Sequence, residues 1–279
     1  MGIIINILKI EKRSFFILYN VILFSKENDN MKQNIYDNVD FSKKYDNLRN
    51  ESKGTNANDL IEIPNFRGLV PDVNGKKILD LGCGYGENDR FYKEKGADYV
   101  LGIDISEHMI EEANKLNKID GIDYKVMPME EINSINEKFD VVISSLAFHY
   151  VEDFDTLIRN ISNLLKKDGY LIFSQEHPNT TCIVYTDQVK KGHTIIGDKY
   201  FGLFSDYNRL GKRTKEWFGH NVIKYHRNFE EIINTLIKYN LTIDRILEPK
   251  PTEEMIQKNP KYINQWDRPF FLFVRAKKY

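Results

Sequence analysis

The chain has 279 residues, 41% of them hydrophobic, with 40 Lys+Arg against 41 Asp+Glu and a formal net charge of −1. That length accommodates one large α/β domain with a full core, or about two small ones, and the near-neutral balance removes the clustered basic charge on which nucleic-acid and anionic-membrane interfaces lean. Cys83 and Cys182 are its only cysteines, which argues against a disulfide framework and makes the cytoplasm the expected compartment.

At the amino terminus, residues 1–24 are rich in Ile, Leu and Phe, but Lys9, Glu11, Lys12 and Arg13 divide them. The pieces are shorter than the roughly 20 apolar residues a membrane helix needs. No small-residue cleavage site follows Phe24, and Asn6 stands where a myristoylation signal wants Ser or Thr. Met31 opens a polar stretch that reads as a natural start. Residues 1–30 are therefore expected to be an extension, with an interfacial helix or a signal segment as the alternative, and 31–74 a helical lead-in.

From Gly75 onward, strand-length apolar runs alternate with helix-period segments, the pattern of a parallel sheet covered by helices. The runs are 77–81, 99–103, 122–127, 139–144 and 169–173. The clearest helix carries Phe154, Leu157, Ile158, Ile161, Leu164 and Leu165 at three- and four-residue spacing, and is expected to stop at Lys166-Lys167-Asp168-Gly169. A second helix holds Phe229, Ile232, Ile233, Leu236 and Ile237, and strand-like runs follow at 241–247 and 270–274. Residues 177–226 interrupt the alternation. They are polar but carry Tyr185, Tyr200, Phe201, Phe204, Tyr207, Trp217, Phe218 and Tyr225, and read as an insertion on the sheet.

The first strand runs into Asp80-Leu81-Gly82-Cys83-Gly84-Tyr85-Gly86. Three glycines allow a tight turn and a close approach of backbone to ligand, and the next helix presents its free N–H groups there. Dinucleotide sites space their glycines G-x-G-x-x-G around a pyrophosphate, whereas this turn is G-x-G-x-G with an acid two residues ahead. Asp104 ends the second strand, where a carboxylate can accept from both hydroxyls of a ribose. The pattern implies an adenosine ligand without a diphosphate.

Together with Gly102-Ile103-Asp104-Ile105-Ser106, Phe139-Asp140-Val141-Val142-Ile143-Ser144-Ser145 and Leu164-Leu165-Lys166-Lys167-Asp168-Gly169, this turn resembles the class I S-adenosylmethionine-dependent methyltransferases. The chain looks most like the type 11 subgroup that includes ubiquinone and menaquinone methyltransferases. Phe173-Ser174-Gln175-Glu176-His177-Pro178, Lys224-Tyr225-His226-Arg227 and Glu248-Pro249 resemble an uncharacterised bacterial branch of it. The resemblance implies a Rossmann-like, doubly wound, mostly parallel seven-stranded sheet of order 3-2-1-4-5-7-6, its last strand antiparallel, in a domain spanning 75–279 with a lid at 177–226. It implies S-adenosyl-L-methionine as cofactor. Asp80 and the Gly82, Cys83, Gly84 and Gly86 backbone would hold its methionine end and Asp104 its ribose, with Ile105 and Met109 against the adenine. Met129 and Glu130 would flank the other adenine face. Pro128 departs from the pattern by standing where many relatives carry an adenine-binding Asp. Ser145, Leu146 and His149 would line the methyl region, and Tyr45 and Arg49 would close over the cofactor.

Methyl transfer needs a nucleophile held in line, water excluded and, for some acceptors, a proton removed. Candidates for that base, or for positioning the acceptor, are His149, Glu176, His177 and His226, and Arg213, Arg227 and Arg268 could grip a substrate carboxylate. The sequence lacks the Asn/Asp-Pro-Pro-aromatic element used on exocyclic amines and the Pro-Cys nucleophile of cytosine C5 chemistry. The expected acceptor is therefore a small molecule, with no nucleic acid, membrane or metal involved. Alternatives are an RNA or protein methyltransferase of the same fold, a nicotinamide-dependent oxidoreductase, or a cofactor-binding protein without catalysis. The acceptor atom and the oligomeric state are not legible.

Overall fold

Successive residues of a strand face opposite sides of its sheet, so a run such as Ile78-Leu79 needs apolar cover on both. In the computed structural model, which describes residues 34–279, both are fully buried: Leu79 packs with Phe148, Leu157, Ile161 and Phe173, and Ile78 with Phe66, Val100, Ile143 and Phe273. The reading of residues 1–30 lies outside the described residues.

The described residues begin with a 3-10 turn Ile35–Asp37 and helix α1 (Val39–Glu51), capped by the Asn38 side chain. A π-helical turn, Asn58–Glu62, leads into α2 (Ile63–Leu69). There follow β1 (Lys77–Leu81), α3 (Glu87–Glu94), β2 (Tyr99–Asp104), α4 (Glu107–Leu116), β3 (Ile122–Val126), β4 (Phe139–Ser144), α5 (Phe154–Leu164) and β5 (Leu165–Glu176). Within 177–226 lie a single turn, α6 (Pro178–Thr181), and two antiparallel hairpins separate from the main sheet, β6 (His193–Ile196) with β7 (Lys199–Gly202) and β8 (Gly211–Trp217) with β9 (His220–His226). The chain then returns through α7 (Phe229–Lys238), β10 (Leu241–Leu247), α8 (Glu253–Lys258) and β11 (Phe271–Lys278).

The seven-stranded sheet runs β10-β11-β5-β4-β1-β2-β3. Counting its strands in chain order, that is 3-2-1-4-5-7-6, as expected. β1 to β5 pair in parallel, and β11 is antiparallel to both β5 and β10. Order reverses between β1 and β4, so the crevice at their carboxyl ends is the place where such sheets bind ligands.

The end of the clearest helix differs from expectation. Helix α5 stops at Leu164, and Leu165 already pairs with Phe139, so Lys166–Gly169 is a bulge inside β5. Asp168 takes the left-handed conformation, φ 63°, and its carboxylate meets the Lys277 ammonium at 2.8 Å. Gly169 serves close approach instead of capping, since a Cβ there would lie 2.9 Å from the Asp140 and Lys166 carbonyl oxygens.

Candidate functional site

Where β1 ends, the Gly82 and Cys83 N–H groups both donate to the Ile103 carbonyl, at 2.8 and 2.9 Å, which fastens the glycine turn to β2. Gly82, Gly84 and Gly86 all have positive φ, 76°, 54° and 76°, the region that L side chains avoid. They differ in what surrounds them. A Cβ on Gly82 would sit 2.6 Å from Ala147 Cβ and 3.3 Å from Met129 Cε, and one on Gly86 would lie 2.0 Å from the Tyr124 hydroxyl. A Cβ on Gly84 would meet nothing within 4 Å. That opening above backbone is a cradle a ligand can enter.

Asp104 frames it. One carboxyl oxygen accepts from Gly84 N–H at 3.1 Å and the other from Ser106 N–H at 2.9 Å, while burial pushes the carboxyl above its ordinary range. Ser106, not Asp104, caps α4, its hydroxyl accepting from Met109 N–H at 3.1 Å. Ile105 adjoins that cap, and Met109 is buried in the first turn of α4. Met129 and Glu130 begin a 3-10 turn, Met129–Ser134, whose cap is Pro128. Met127 N–H donates to the Asp104 carbonyl at 2.8 Å, so this segment is tied to the strand that ends in Asp104.

Asp80 lies beside Asp89 of α3. It is 2% exposed and its Oδ1 has no hydrogen-bond partner, and neither carboxyl oxygen of the fully buried Asp89 has one. Burial, and then the repulsion between the two acids, pushes Asp80 well up, and burial raises Asp89 to about 7. The two buried acids therefore resist being ionised together.

At the ends of β4 and β5, a residue that the sequence reading missed is central. Glu62, from the π-helical turn, is 1% exposed, and its Oε1 accepts from the Ser145 hydroxyl at 2.8 Å and the Ser174 hydroxyl at 2.6 Å. An acid within Leu60-Ile61-Glu62-Ile63 is the one signal that could have found it. Leu146, held at φ 52°, donates its N–H to both the carbonyl and the hydroxyl of Ser174. His149 is 3% exposed; its Nδ1 accepts from Glu176 N–H at 3.4 Å, and burial lowers its pKa to about 3. Burial alone would raise Glu176, but the Lys224 ammonium at 2.5 Å outweighs it and holds the carboxyl at about 2.

Rings surround that ion pair. The Lys224 ammonium lies 5.7 Å from the Tyr150 ring centroid and 5.9 Å from that of Trp217. Trp217 packs edge-on against Phe41 and Tyr45 of α1, at 5.4 and 6.1 Å, and Tyr45 packs against Tyr36 at 5.2 Å. Lys44 Nζ donates to the Phe218 carbonyl at 3.1 Å, and His220 Nε2 meets the Asp40 carboxylate at 2.8 Å. The lead-in helix and the β8–β9 hairpin are thus clasped together over the sheet's carboxyl edge.

The other candidates are engaged in contacts of their own. His177 caps α6 through Nδ1 and pairs with Glu248 through Nε2 at 2.6 Å. His226 is fully buried, Nδ1 against the Thr181 hydroxyl and Nε2 donating to the Tyr207 carbonyl, each at 2.8 Å. Arg227 donates to the carbonyls of Phe148, Val151 and Glu152, which fixes the loop carrying His149. Arg49 pairs with Glu87 at 2.8 Å, joining α1 to the start of α3. Arg268 lies under the β6–β7 hairpin, against Gly192 and Gly202. Among the described residues no group of three or more His, Cys, Asp and Glu is arranged to hold a metal.

A sheet of this order, with a G-x-G-x-G turn after β1 and a carboxylate closing β2, defines a Rossmann-like fold for an adenosine-bearing cofactor. The comparisons with known proteins make that specific. The type 11 methyltransferase domain family matches residues 79–173. An S-adenosylmethionine-dependent methyltransferase structure from Mesorhizobium loti is 34% identical and superposes with a TM-score of 0.72 over 80% of this chain and 98% of that one. An uncharacterized protein of Haemophilus influenzae is 38% identical over 259 residues, 89% of this chain and 98% of the relative. A Neisseria meningitidis ubiquinone biosynthesis O-methyltransferase is 30% identical over 150 residues, 52% of this chain and 58% of that protein. The chain belongs to the S-adenosylmethionine-dependent methyltransferases, and S-adenosyl-L-methionine is its cofactor. The open cradle at Gly84, the strand-end carboxylate of Asp104 and the unpartnered oxygen of Asp80 fit that molecule's backbone contacts, ribose diol and cationic end.

Proposed function

We propose that the acceptor is a small molecule, methylated by in-line displacement at the mouth between β4, β5 and the β8–β9 hairpin. The observation that carries this is the clasp: Phe41 and Tyr45 against Trp217 roof the site with rings, leaving room for a compact ligand and little for a folded polymer. When bound, S-adenosylmethionine supplies an electrophilic methyl group on sulfur. Asp80, Gly82, Cys83, Gly84 and Gly86 bind its methionine end in this reading, Asp104 its ribose, and Ile105, Met109, Met129 and Glu130 surround its adenine. Backbone atoms beside Pro128 take the place of the missing Asp.

Ser145, Leu146 and His149 border the methyl path. His149 is neutral near pH 7, and with Nδ1 accepting from Glu176 N–H its proton sits on Nε2. It orients an acceptor by donating a hydrogen bond and does not remove a proton. Glu176, ionised against Lys224, is too weak a base for that task at neutrality. The acceptor's own lone pair therefore makes the attack, and the protein contributes alignment and exclusion of water.

The test is incubation of the full chain with methyl-labelled cofactor and separated small-molecule, RNA and protein fractions of a bacterial extract. Label in the small-molecule fraction, diminished by Trp217→Ala, is expected. Label confined to RNA or protein would sink the reading.

A further inference from the structure

Glu62 reaches the cofactor crevice from the lead-in, not from the sheet. The turn that carries it, Asn58–Glu62, is π-helical, a form that occurs mostly as single turns and often at functional sites. It buries two consecutive side chains: Ile61, fully buried, lies in the core with Phe66, and Glu62 is 1% exposed. One oxygen of Glu62 accepts from the Ser145 and Ser174 hydroxyls, at 2.8 and 2.6 Å, at the carboxyl ends of β4 and β5. The end of β4 is in turn fastened to the end of β1. The Ser144 hydroxyl donates to the Leu81 carbonyl at 2.7 Å, and Ala147 abuts Gly82 of the glycine turn.

No basic side chain pairs with this carboxyl group. Among the described residues no Lys, Arg or His forms an ion pair with it, and the two arginines that act on it at longer range are engaged elsewhere: Arg49 with Glu87 at 2.8 Å, Arg67 with Asn88 at 3.1 Å and over the Phe91 ring at 3.9 Å. Asp80, 2% exposed and with an unpartnered Oδ1, is repelled by Asp89 and, more weakly, by Glu62. Three buried acids from three elements thus converge on the crevice with no cation among them. Buried carboxylates without a counter-charge are costly, and a bound cation offsets that cost. S-adenosylmethionine brings two cationic centres, an ammonium and a sulfonium, against one carboxylate. Asp80 serves its methionine end in the reading above, which leaves Glu62, behind Ser145, for the charge on sulfur.

Resting on the reading of Ser145 and Leu146 as the border of the methyl path, we infer that Glu62 is a cofactor-binding carboxylate that favours the sulfonium of S-adenosylmethionine over the neutral thioether of S-adenosylhomocysteine. The product is then held less tightly than the cofactor and leaves the site readily.

The experiment titrates the full chain and Glu62→Gln by calorimetry with S-adenosylmethionine, S-adenosylhomocysteine and sinefungin, which carries an amine-bearing carbon in place of the sulfonium. Gln keeps an acceptor for both serine hydroxyls and removes the charge. The variant is expected to bind the two cationic ligands about 10-fold or more weakly than the wild type and S-adenosylhomocysteine within about 2-fold of it. Equal loss of all three ligands, the mark of a purely structural role, or loss of none, would overturn the inference and leave the cofactor site in place. If the variant does not melt cooperatively, the wild type decides: both cationic ligands binding more tightly than S-adenosylhomocysteine supports the inference, and any other order overturns it. A wild-type chain that binds none of the three defeats the placement of the cofactor itself.

Discussion

Replacing each glycine of the β1 turn by alanine separates structural need from ligand need. At Gly82 the new methyl enters a left-handed residue, φ 76°, and would lie 2.6 Å from Ala147 Cβ and 3.3 Å from Met129 Cε. The backbone term costs about 1–2 kcal/mol, and relieving an overlap about 1 Å inside normal carbon contact adds about 1–3 kcal/mol. The sum, about 2–5 kcal/mol, lowers Tm by roughly 4–20 °C for a domain of this size. At Gly84, φ 54° with open space around it, only the backbone term applies, about 1–2 kcal/mol and roughly 2–8 °C. Its methyl would instead fill the cradle, so Gly84→Ala should weaken S-adenosylhomocysteine by more than its stability loss accounts for. Differential scanning calorimetry and titration calorimetry on the same samples read both quantities. The reasoning is refuted if Gly82→Ala melts no lower than Gly84→Ala, or if Gly84→Ala binds the ligand like the wild type.

Further outcomes follow from the same geometry. Asp104→Ala removes the ribose acceptor and leaves the Gly84 and Ser106 N–H groups without a partner, so cofactor affinity should fall by about 10- to 200-fold, the equivalent of about 1.5–3 kcal/mol; unchanged titration would remove Asp104 from the site. Asp89, raised to about 7, binds more protons folded than unfolded between about pH 4 and 7, so its contribution to stability is lost as pH rises through that window. Asp89→Asn should accordingly gain about 1–3 kcal/mol over the wild type at pH 8 and less at pH 5; a gain in thermal melts that shrinks as pH rises contradicts the raised Asp89 pKa. Phe41→Ala takes a fully buried ring from the clasp and should cost about 3–5 kcal/mol, with the acceptor's KM rising further than the cofactor's Kd. The rate profile should show no ionisation from His149 between pH 6 and 8, because burial keeps it neutral there; an inflection near 6.5 lost in His149→Gln would restore it as a base.

Much of the scaffold was legible because local and global signals agree along it. The runs at 77–81 and 139–144 are strands of those same bounds, since apolar residues on both faces leave a short segment few other ways to bury itself. Chain order alone does not give strand order; the family resemblance supplied it. The end of α5 was misread because Gly169 mimics a helix stop, and only pairing with β4 and β11 reveals a bulge. In the insertion, Gly211–Trp217 is a polar strand whose pairing partner, not its pattern, makes it one. At the site, Asp104 and the glycine turn are local motifs and read directly. Glu62, Asp89 and Lys224 act through tertiary contacts, so only the folded structure assigns them, and the same structure ties His177 to Glu248 and His226 to Thr181.

The most direct test of a site that takes S-adenosylmethionine at the carboxyl edge of β1 and β2 is titration of the purified chain with S-adenosylmethionine, S-adenosylhomocysteine and NADH, beside Asp104→Ala. Saturable binding of both sulfur ligands, none of NADH, and loss of affinity in the variant are predicted. Binding of NADH without either sulfur ligand, or sulfur-ligand binding indifferent to Asp104, would contradict the account.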